Sequence, residues 1–214
     1  MESPDLARMR ESYAREGLAE AAAGDDPLAL FGRWLDDALV AQIHEPNAMA
    51  LATATSDGQP SVRIVLLKGV DASGLTFFTN YESRKGGELE TNPRAAAAML
   101  WHPLQRQVRF EGSVSRISAA DSDAYFHSRP RGSQLGAVAS PQSSVVDDRA
   151  ALEALYAEAA ETYGTGDVTR PEHWGGYRIE IESIEFWQGR EDRLHDRLLY
   201  RRTGTAWTRA RLAP

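Results

Sequence analysis

The sequence predicts an α+β protein, mainly β, built on an antiparallel β-barrel. Three observations support this. From Asn47 onward, short runs of β-branched and aliphatic residues recur between turn signals, as in an antiparallel barrel or sandwich. One amphipathic helical stretch precedes them, and helical periodicity returns twice after residue 117. No Gly-, Ser- or Pro-rich linker and no internal repeat divides the 214 residues. A single domain over 1–214 is therefore expected, long enough to bury its own core.

The elements follow in order. Residues 1–22 are expected to be a mobile segment, helical from about Pro4 to Ala22 and polar for a helix. Asp26-Pro27 reads as an N-cap and first helical residue. Leu28, Phe31, Trp34, Leu35, Leu39 and Ile43 then recur at helical spacing, giving the helix one apolar face. Ala48–Thr55 and Pro60–Val70 are predicted strands joined by a hairpin turn at Asp57-Gly58. Leu75–Thr79, Ala96–His102 and Arg106–Ile117 are three more. Ser83 is a good N-cap for a short helix over Arg84–Glu90. Helices are predicted at Ser118–His127 and Asp147–Tyr163, with Pro130, Gly132 and Gly136 breaking the stretch between them. Strands at Gly176–Gln188, at His195–Arg202 and near Trp207 close the chain.

Composition narrows the chemistry. There is no cysteine, which excludes disulfides, thiolate metal sites and thiol redox catalysis. Redox chemistry here requires a bound cofactor. The net charge of −7 argues against an overall basic surface for nucleic acid. No signal peptide is visible at Met1-Glu2-Ser3-Pro4-Asp5, and the longest apolar run, Ala95–Trp101, is far short of a membrane span. A cytoplasmic protein is expected. Only Lys68 and Lys85 are lysines among 24 basic residues, and both fall inside motif-like segments.

Several segments carry possible chemistry. In an extended strand, Arg193, His195 and Arg197 share one face. Two fixed cations beside an imidazole do not belong in an apolar core, so this face is expected to meet an anion or an aromatic ring. Arg84 and Lys85 would sit in the first turn of their helix, against its dipole. A bound phosphate would reverse that sign, whereas a solvated turn would merely screen it. Arg63 and Lys68 lie five positions apart, on opposite faces of a regular strand. A bulge, strong twist or second subunit is needed if both touch one ligand. Tyr125, Arg129 and Ser133 offer phosphate donors, but a helix through Pro130 is doubtful. Gln107 and Arg109 share a strand face, and Gln142-Ser143-Ser144 is a polar turn. His102, His127 and His173 show no metal-ligand spacing and read as structural. Neither a Rossmann or P-loop fingerprint nor a nucleophile elbow occurs.

Arg63-Ile-Val-Leu-Leu-Lys68, Phe78-Thr79-Asn80, Ser83-Arg84-Lys85, Arg106-Gln107-Val108, Tyr125-Phe-His-Ser-Arg129-Pro, Ser133-Gln134, Gln142-Ser143-Ser144, Trp174-Gly175-Gly176 and Glu185-Phe-Trp-Gln-Gly…Arg193-Leu-His-Asp-Arg197 stand in one order. Taken together, from about Arg10 to Pro214, they resemble the pyridoxine/pyridoxamine 5′-phosphate oxidases. The resemblance implies an FMN-binding split β-barrel and a homodimer with FMN sites at the subunit interface; charge and the short apolar runs, for their part, lead to the expectation of neither nucleic acid nor membrane as partner. By that similarity, FMN is held by Arg63, Ile64, Val65, Leu66, Leu67 and Lys68. Phe78, Thr79, Arg84, Lys85, Gln107, Gln142, Ser143, Trp187 and Arg197 complete the cofactor set. The substrate phosphate falls to Lys68, Tyr125, Arg129 and Ser133. Arg193, Leu194 and His195 meet the pyridine ring, with Arg193 and His195 in the catalytic role, and Arg10 and Tyr13 also reach the substrate. No metal is implied.

The implied reaction is FMN-dependent oxidation of pyridoxine and pyridoxamine 5′-phosphate to pyridoxal 5′-phosphate, with O2 as acceptor and H2O2 as product. Two alternatives are open from sequence. One is a flavin oxidase of another small ring, as in phenazine-pathway relatives. The other is a carrier of pyridoxal phosphate without turnover.

Overall fold

The computed structural model describes residues 17–214. The hydrogen-bonded strand order is β2-β1-β5-β6-β7-β4-β3, with β8 on β7 and β9 on β8. The chain divides into two compact units. One takes the chain up to Asn47, Ala98–Phe110 and Glu182–Pro214, and the other takes Ala48–Ala97 and Glu111–Ile181.

The first unit is organised by α2 (Pro27–Val40). Asp26 caps it by accepting the Leu28 N–H at 2.8 Å, and Pro27 starts it where no N–H is needed. Phe31 packs edge-on against Phe110 at 5.2 Å, and Trp34 edge-on against Phe186 at 5.2 Å. The helix ends before Ile43, and Leu39 is exposed, so its buried stripe is narrower than the periodicity suggests. The long β7 (Trp174–Gln188) runs antiparallel to β8 (Asp196–Thr203), with Trp187 opposite Arg197, and β8 pairs with β9 (Ala206–Leu212). Of the helix expected from Pro4, residues up to 16 lie outside the described part, and the remainder gives only α1 (Glu20–Ala23).

The second unit begins with the expected hairpin. β1 (Ala48–Ala54) pairs antiparallel with β2 (Pro60–Leu66), and Gly58 adopts φ 91°, a conformation open to glycine. The second expected strand is broken at Leu67-Lys68 and resumes as β3 (Gly69–Asp71), which pairs with β4 (Gly74–Asn80). β4 continues onto β7, placing Phe78 opposite Gly176. A Cβ on Gly176 would come within 2.4 Å of Ile117 and 2.9 Å of Phe78, so glycine here lets the Phe78 ring pack closely. β5 (Arg94–Trp101) and β6 (Arg106–Arg116) complete the strands.

Four helices flank these strands: α3 (Arg84–Thr91), α4 (Ala119–Ser128), α5 (Arg131–Ala139) and α6 (Arg149–Tyr163). α5 corrects the expected break. Pro130 occupies its N-cap position, where a missing N–H does no harm, and Gly132 and Gly136 are accommodated inside it. Leu135 is buried in a cluster with Phe126, Ala159, Val168 and Trp174, and Ala137, Val138 and Ala139 of the same helix pack against it. That packing overrides the low helix propensity of the glycines.

Candidate active site

Strand β2, the break after it, β4, α3 and the α4–α5 corner surround a cavity of about 490 Å³. From β2 and the break come Arg63, Ile64, Val65, Leu66 and Lys68. Phe78, Thr79 and Lys85 line it from β4 and α3. Tyr125, Arg129, Pro130, Ser133, Gln142 and Trp174 complete the wall. The structure thus brings together most of the expected cofactor and phosphate residues of the second unit. The parity difficulty at Arg63 and Lys68 disappears within one chain. β2 stops at Leu66, and the Lys68 N–H bonds Thr76 O at 2.8 Å. Strand alternation therefore no longer governs where Lys68 points.

One end of the cavity is built around Lys85. The Ser83 hydroxyl caps α3 by accepting the Gly86 N–H. Lys85 follows in the first turn and is only 8% exposed, so it does not sit on a solvated turn. Its Nζ donates to Gln142 Oε1 at 2.7 Å, Thr79 Oγ1 at 3.0 Å and Ser83 Oγ at 3.2 Å. Burial, and then repulsion from Arg63, bring its pKa down to about 8, with Glu88 opposing. Arg63 bonds Leu51 O at 3.1 Å and Thr53 Oγ1 at 2.5 Å, and also the Ser61 hydroxyl. Glu88 lies beneath it. Its carboxylate accepts from Thr53 at 2.5 Å, Ser61 at 2.6 Å, Arg63 at 3.4 Å and Arg84 Nε at 2.9 Å. Burial pushes the Glu88 pKa up, but the Ser61, Thr53 and Arg84 hydrogen bonds and the Arg63 charge outweigh it and hold it at about 2.

The other end is aromatic and cationic. The Tyr125 ring stacks on Phe78 at 3.8 Å, and the Arg129 guanidinium lies over Trp174 at 4.6 Å. α4 ends at Ser128, and Arg129 is extended at φ −77° and ψ 149° before Pro130. Tyr125, Arg129 and Ser133 therefore share the cavity through a helix–corner–helix turn, not through one helix face. Burial pulls the Arg129 pKa down, and its Nη1 is buried without a hydrogen-bond partner. A buried guanidinium N–H so placed is an open donor for an anion. The Lys85 ammonium spends its three N–H donors on neutral oxygens, so it offers an anion its uncompensated charge and not an open donor. The donor set fits phosphate-bearing ligands, and the stacked aromatic wall suits a planar ring.

Arg84, Leu67 and Ser143 are not among the cavity-lining residues. Arg84 is bound to Glu88, Leu67 is buried, and Ser143 is exposed with φ 74°. Gln107, Trp187, Arg193, Leu194, His195 and Arg197 belong to the other unit. There the expected shared strand face does not form. Glu191–Arg193 is a 3₁₀ turn, with left-handed φ of 53° at Asp192 and 61° at Arg193, and β8 starts only at Asp196. The His195 ring is tilted against Trp187 at 4.6 Å, and its Nδ1 accepts the Arg190 N–H at 3.1 Å. Burial and then the Arg193 charge lower its pKa. Arg197 Nε is bound to Glu185 at 2.7 Å, Leu194 is exposed, and Gln107 is half-buried. Arg10 and Tyr13 lie outside the described residues.

Sequence reasoning missed Glu88, Trp174 as a cavity wall, and Asp196. Glu88 had a readable signal in its i,i+4 spacing from Arg84; its bonds to Thr53 and Ser61 across the hairpin had none. Among the described residues, no group of three or more His, Asp or Glu is placed to hold a metal, and no helix is long and apolar enough to cross a membrane.

Comparison with known proteins agrees with the geometry. Residues 35–163 match the family described as pyridoxamine 5′-phosphate oxidase. Residues 174–214 match the pyridoxine 5′-phosphate oxidase C-terminal dimerisation region. The chain is 57% identical over 210 residues to the pyridoxine/pyridoxamine 5′-phosphate oxidase of Rubrobacter xylanophilus, covering 98% of this chain and 97% of the relative. It is 56% identical over 212 residues to that of Salinibacter ruber, covering 98% and 99%. PhzG from Burkholderia lata, solved in complex with tetrahydrophenazine-1-carboxylic acid, superposes with a TM-score of 0.84 at 37% identity, covering 89% of this chain and 94% of PhzG. A Nostoc punctiforme pyridoxamine 5′-phosphate oxidase-related, FMN binding protein superposes at 0.69 with 17% identity, covering 85% and 96%, and so bears on the fold alone. The chain belongs to the pyridoxine/pyridoxamine 5′-phosphate oxidase family, enzymes that use FMN and are built on the split β-barrel.

Proposed function

We propose that this protein oxidises pyridoxine 5′-phosphate and pyridoxamine 5′-phosphate to pyridoxal 5′-phosphate, with dioxygen as the final acceptor, in the biosynthesis and salvage of vitamin B6. The alcohol and O2 yield the aldehyde and H2O2; the amine, O2 and water yield the aldehyde, ammonia and H2O2. FMN, when bound, supplies the hydride-accepting chemistry that the cysteine-free chain lacks. The observation that carries the reading is the cavity itself, where, among the described residues, Lys85 and Arg129 hold charge without an acid bonded to either.

In this reading Lys85, Thr79 and Gln142 hold the FMN phosphate end, beside an Arg63 that Glu88 holds in place. Lys68, Tyr125, Arg129 and Ser133 clamp the substrate phosphate. Each charge-assisted hydrogen bond contributes about 1.5–3 kcal/mol. Arg193 stacks on the pyridine ring and His195 orients the reacting substituent, excluding water and fixing the carbon for transfer. A homodimer with its FMN sites at the subunit interface completes each site. Supporting it are the match of residues 174–214 to the dimerisation region and the exposed Val62 and Ile64 side chains on β2, 68% and 66% accessible. The expected location is the cytoplasm.

The test is direct. The purified protein should show the visible spectrum of a flavin and should release peroxide when pyridoxine 5′-phosphate is added in air. A colourless protein, or a yellow one that makes no peroxide, overturns the proposal. The likeness to PhzG favours one second reading, oxidation of another reduced ring acid. A substrate panel read by peroxide separates the two, and preference for a non-phosphorylated ring would carry the second.

A further inference from the structure

The stretch from Gly17 to Gly24 is fastened to β8 and β9 by a dense set of polar contacts, and the central one adjoins His195. Asp196 Oδ2 accepts the Leu18 N–H at 2.9 Å, while its Oδ1 accepts from Arg211 Nη1 at 2.5 Å. Arg211 also reaches Leu18 O at 2.9 Å and Glu20 at 2.7 Å. Further along, Arg209 and the Tyr200 hydroxyl both bond Gly24 O, at 2.6 and 2.7 Å. Arg190 Nε stands 3.7 Å from Asp196 Oδ2. The approach is so close that a Cβ on Gly17 would lie 2.8 Å from Asp196 Oδ2 and 3.2 Å from Arg190 Nη1. Asp196 is held by three partners and cannot move aside without losing them.

This cluster fixes Arg190, and Arg190 fixes the imidazole. A backbone N–H can only donate, so His195 Nδ1, 3.1 Å away, presents its lone pair. The ring proton of the neutral imidazole is then on Nε2. Burial and the Arg193 charge both disfavour a second proton. A ring in that state donates at Nε2 and cannot accept a proton there.

We propose that Gly17 and Asp196 form a latch which, through Arg190, holds His195 as the neutral Nε2–H tautomer. His195 then serves the reaction as a hydrogen-bond donor and not as the base. Asp196 is a positioning residue in the sense of an outer-shell partner that sets a ring's tautomer and orientation. The donor role rests on the proposed contact of His195 with substrate, whereas the tautomer does not.

The test uses FMN-loaded protein with histidine nitrogens labelled and substrate omitted. His195→Gln identifies the relevant signal among the five histidines. The wild type should show the Nε2–H form near neutral pH. Asp196→Asn and Gly17→Ala should each mix in the other tautomer and lower kcat/KM for pyridoxine 5′-phosphate about tenfold, with FMN affinity unchanged. Gly17→Ala leaves every charge in place and so covers the case in which Asp196→Asn does not fold. An Nδ1–H signal in the wild type overturns the proposal. So does an unaltered imidazole signal in both variants, even with lowered thermal stability, since the contacts would then be structural only. The nitrogen spectrum is recorded without substrate and holds or fails apart from the identity of the substrate oxidised.

Discussion

The cavity beside α3 and the latch beside β8 are both rich in cations, but the two regions use them differently. In the latch, the arginines that join elements are matched by acids. Arg197 bonds Glu185 at 2.7 Å, Arg211 bonds both Glu20 and Asp196, and Arg209 lies 3.7 Å from Asp25. In the cavity, Lys85 bonds only neutral oxygens and Arg129 keeps a buried Nη1 without a partner. A cation matched by an acid is already neutralised and serves to join elements, at about 0–1 kcal/mol per exposed pair. A cation held by neutral oxygens close to a second cation keeps its capacity for an anion. Charge count alone therefore does not separate a binding site from a scaffold; the partner of each charge does.

Arg193 offers the severest test of that distinction, because it sits in the latch region without being part of the matched set described above. Its left-handed backbone, φ 61° beside φ 53° at Asp192, is an unfavourable conformation of the kind that clusters at functional sites. Arg193→Ala should lower kcat about a hundredfold and leave FMN content nearly intact. Equal loss of turnover and FMN would move Arg193 into the cofactor site. Arg129 comes next. Arg129→Ala should raise KM for the phosphorylated substrates about 10–100-fold, whereas Arg209→Ala should leave KM alone and cost only a little stability. Unchanged kinetics in Arg129→Ala would remove it from the phosphate clamp and blur the contrast between the regions.

Lys85 sharpens the comparison through pH. Its folded-state pKa of about 8 lies below the ordinary 10.5. Between those values the unfolded chain keeps a proton that the folded protein has lost. Stability of the FMN-free protein should therefore rise with pH across that window, by up to about 1.4 kcal/mol per pH unit. FMN affinity should move the opposite way, weakening above about pH 8 as the ammonium discharges. Lys85→Met should abolish both trends and weaken FMN binding on the order of tenfold. Calorimetric melts and flavin fluorescence titrations across pH read the two separately. A flat stability curve in the wild type would show Lys85 to be ordinarily solvated.

Much of this arrangement was legible in the sequence, for identifiable reasons. The β1–β2 hairpin and the caps at Asp26 and Ser83 are local, set by residues within a few positions. The gathering of Arg63, Lys68, Lys85, Tyr125, Arg129, Ser133 and Gln142 was expected only from the family resemblance. Spacing by itself put Arg63 and Lys68 on opposite faces. What overturned that was a break at Leu67-Lys68, which depends on β3 pairing with β4. α5 was hidden because Leu135 and its cluster supply tertiary packing that composition cannot reveal. The shared face of Arg193, His195 and Arg197 failed because two consecutive residues adopt positive φ, and no glycine announced it.

Glu88 gives the smallest expected effect and the finest test, because it is where the two uses of charge meet. It is a buried acid behind the cavity lining that matches Arg63 and Arg84 and leaves Lys85 to neutral partners. Its carboxyl is held at about 2, below the ordinary 4.5. The stabilisation it gives is fully present above about pH 4.5 and is lost as pH falls toward 2, because there the unfolded chain binds the proton first. Glu88→Gln keeps an acceptor oxygen and loses the charge, so it should cost about 1 kcal/mol at neutral pH. The cost should shrink on acidification until the two proteins converge. FMN affinity should change little, since Lys85 remains in place. A cost that stays constant down to pH 2 would mean that shape and not charge joins Glu88 to Arg63. A large loss of FMN would mean that the locked arginine, more than the lysine, carries the anion.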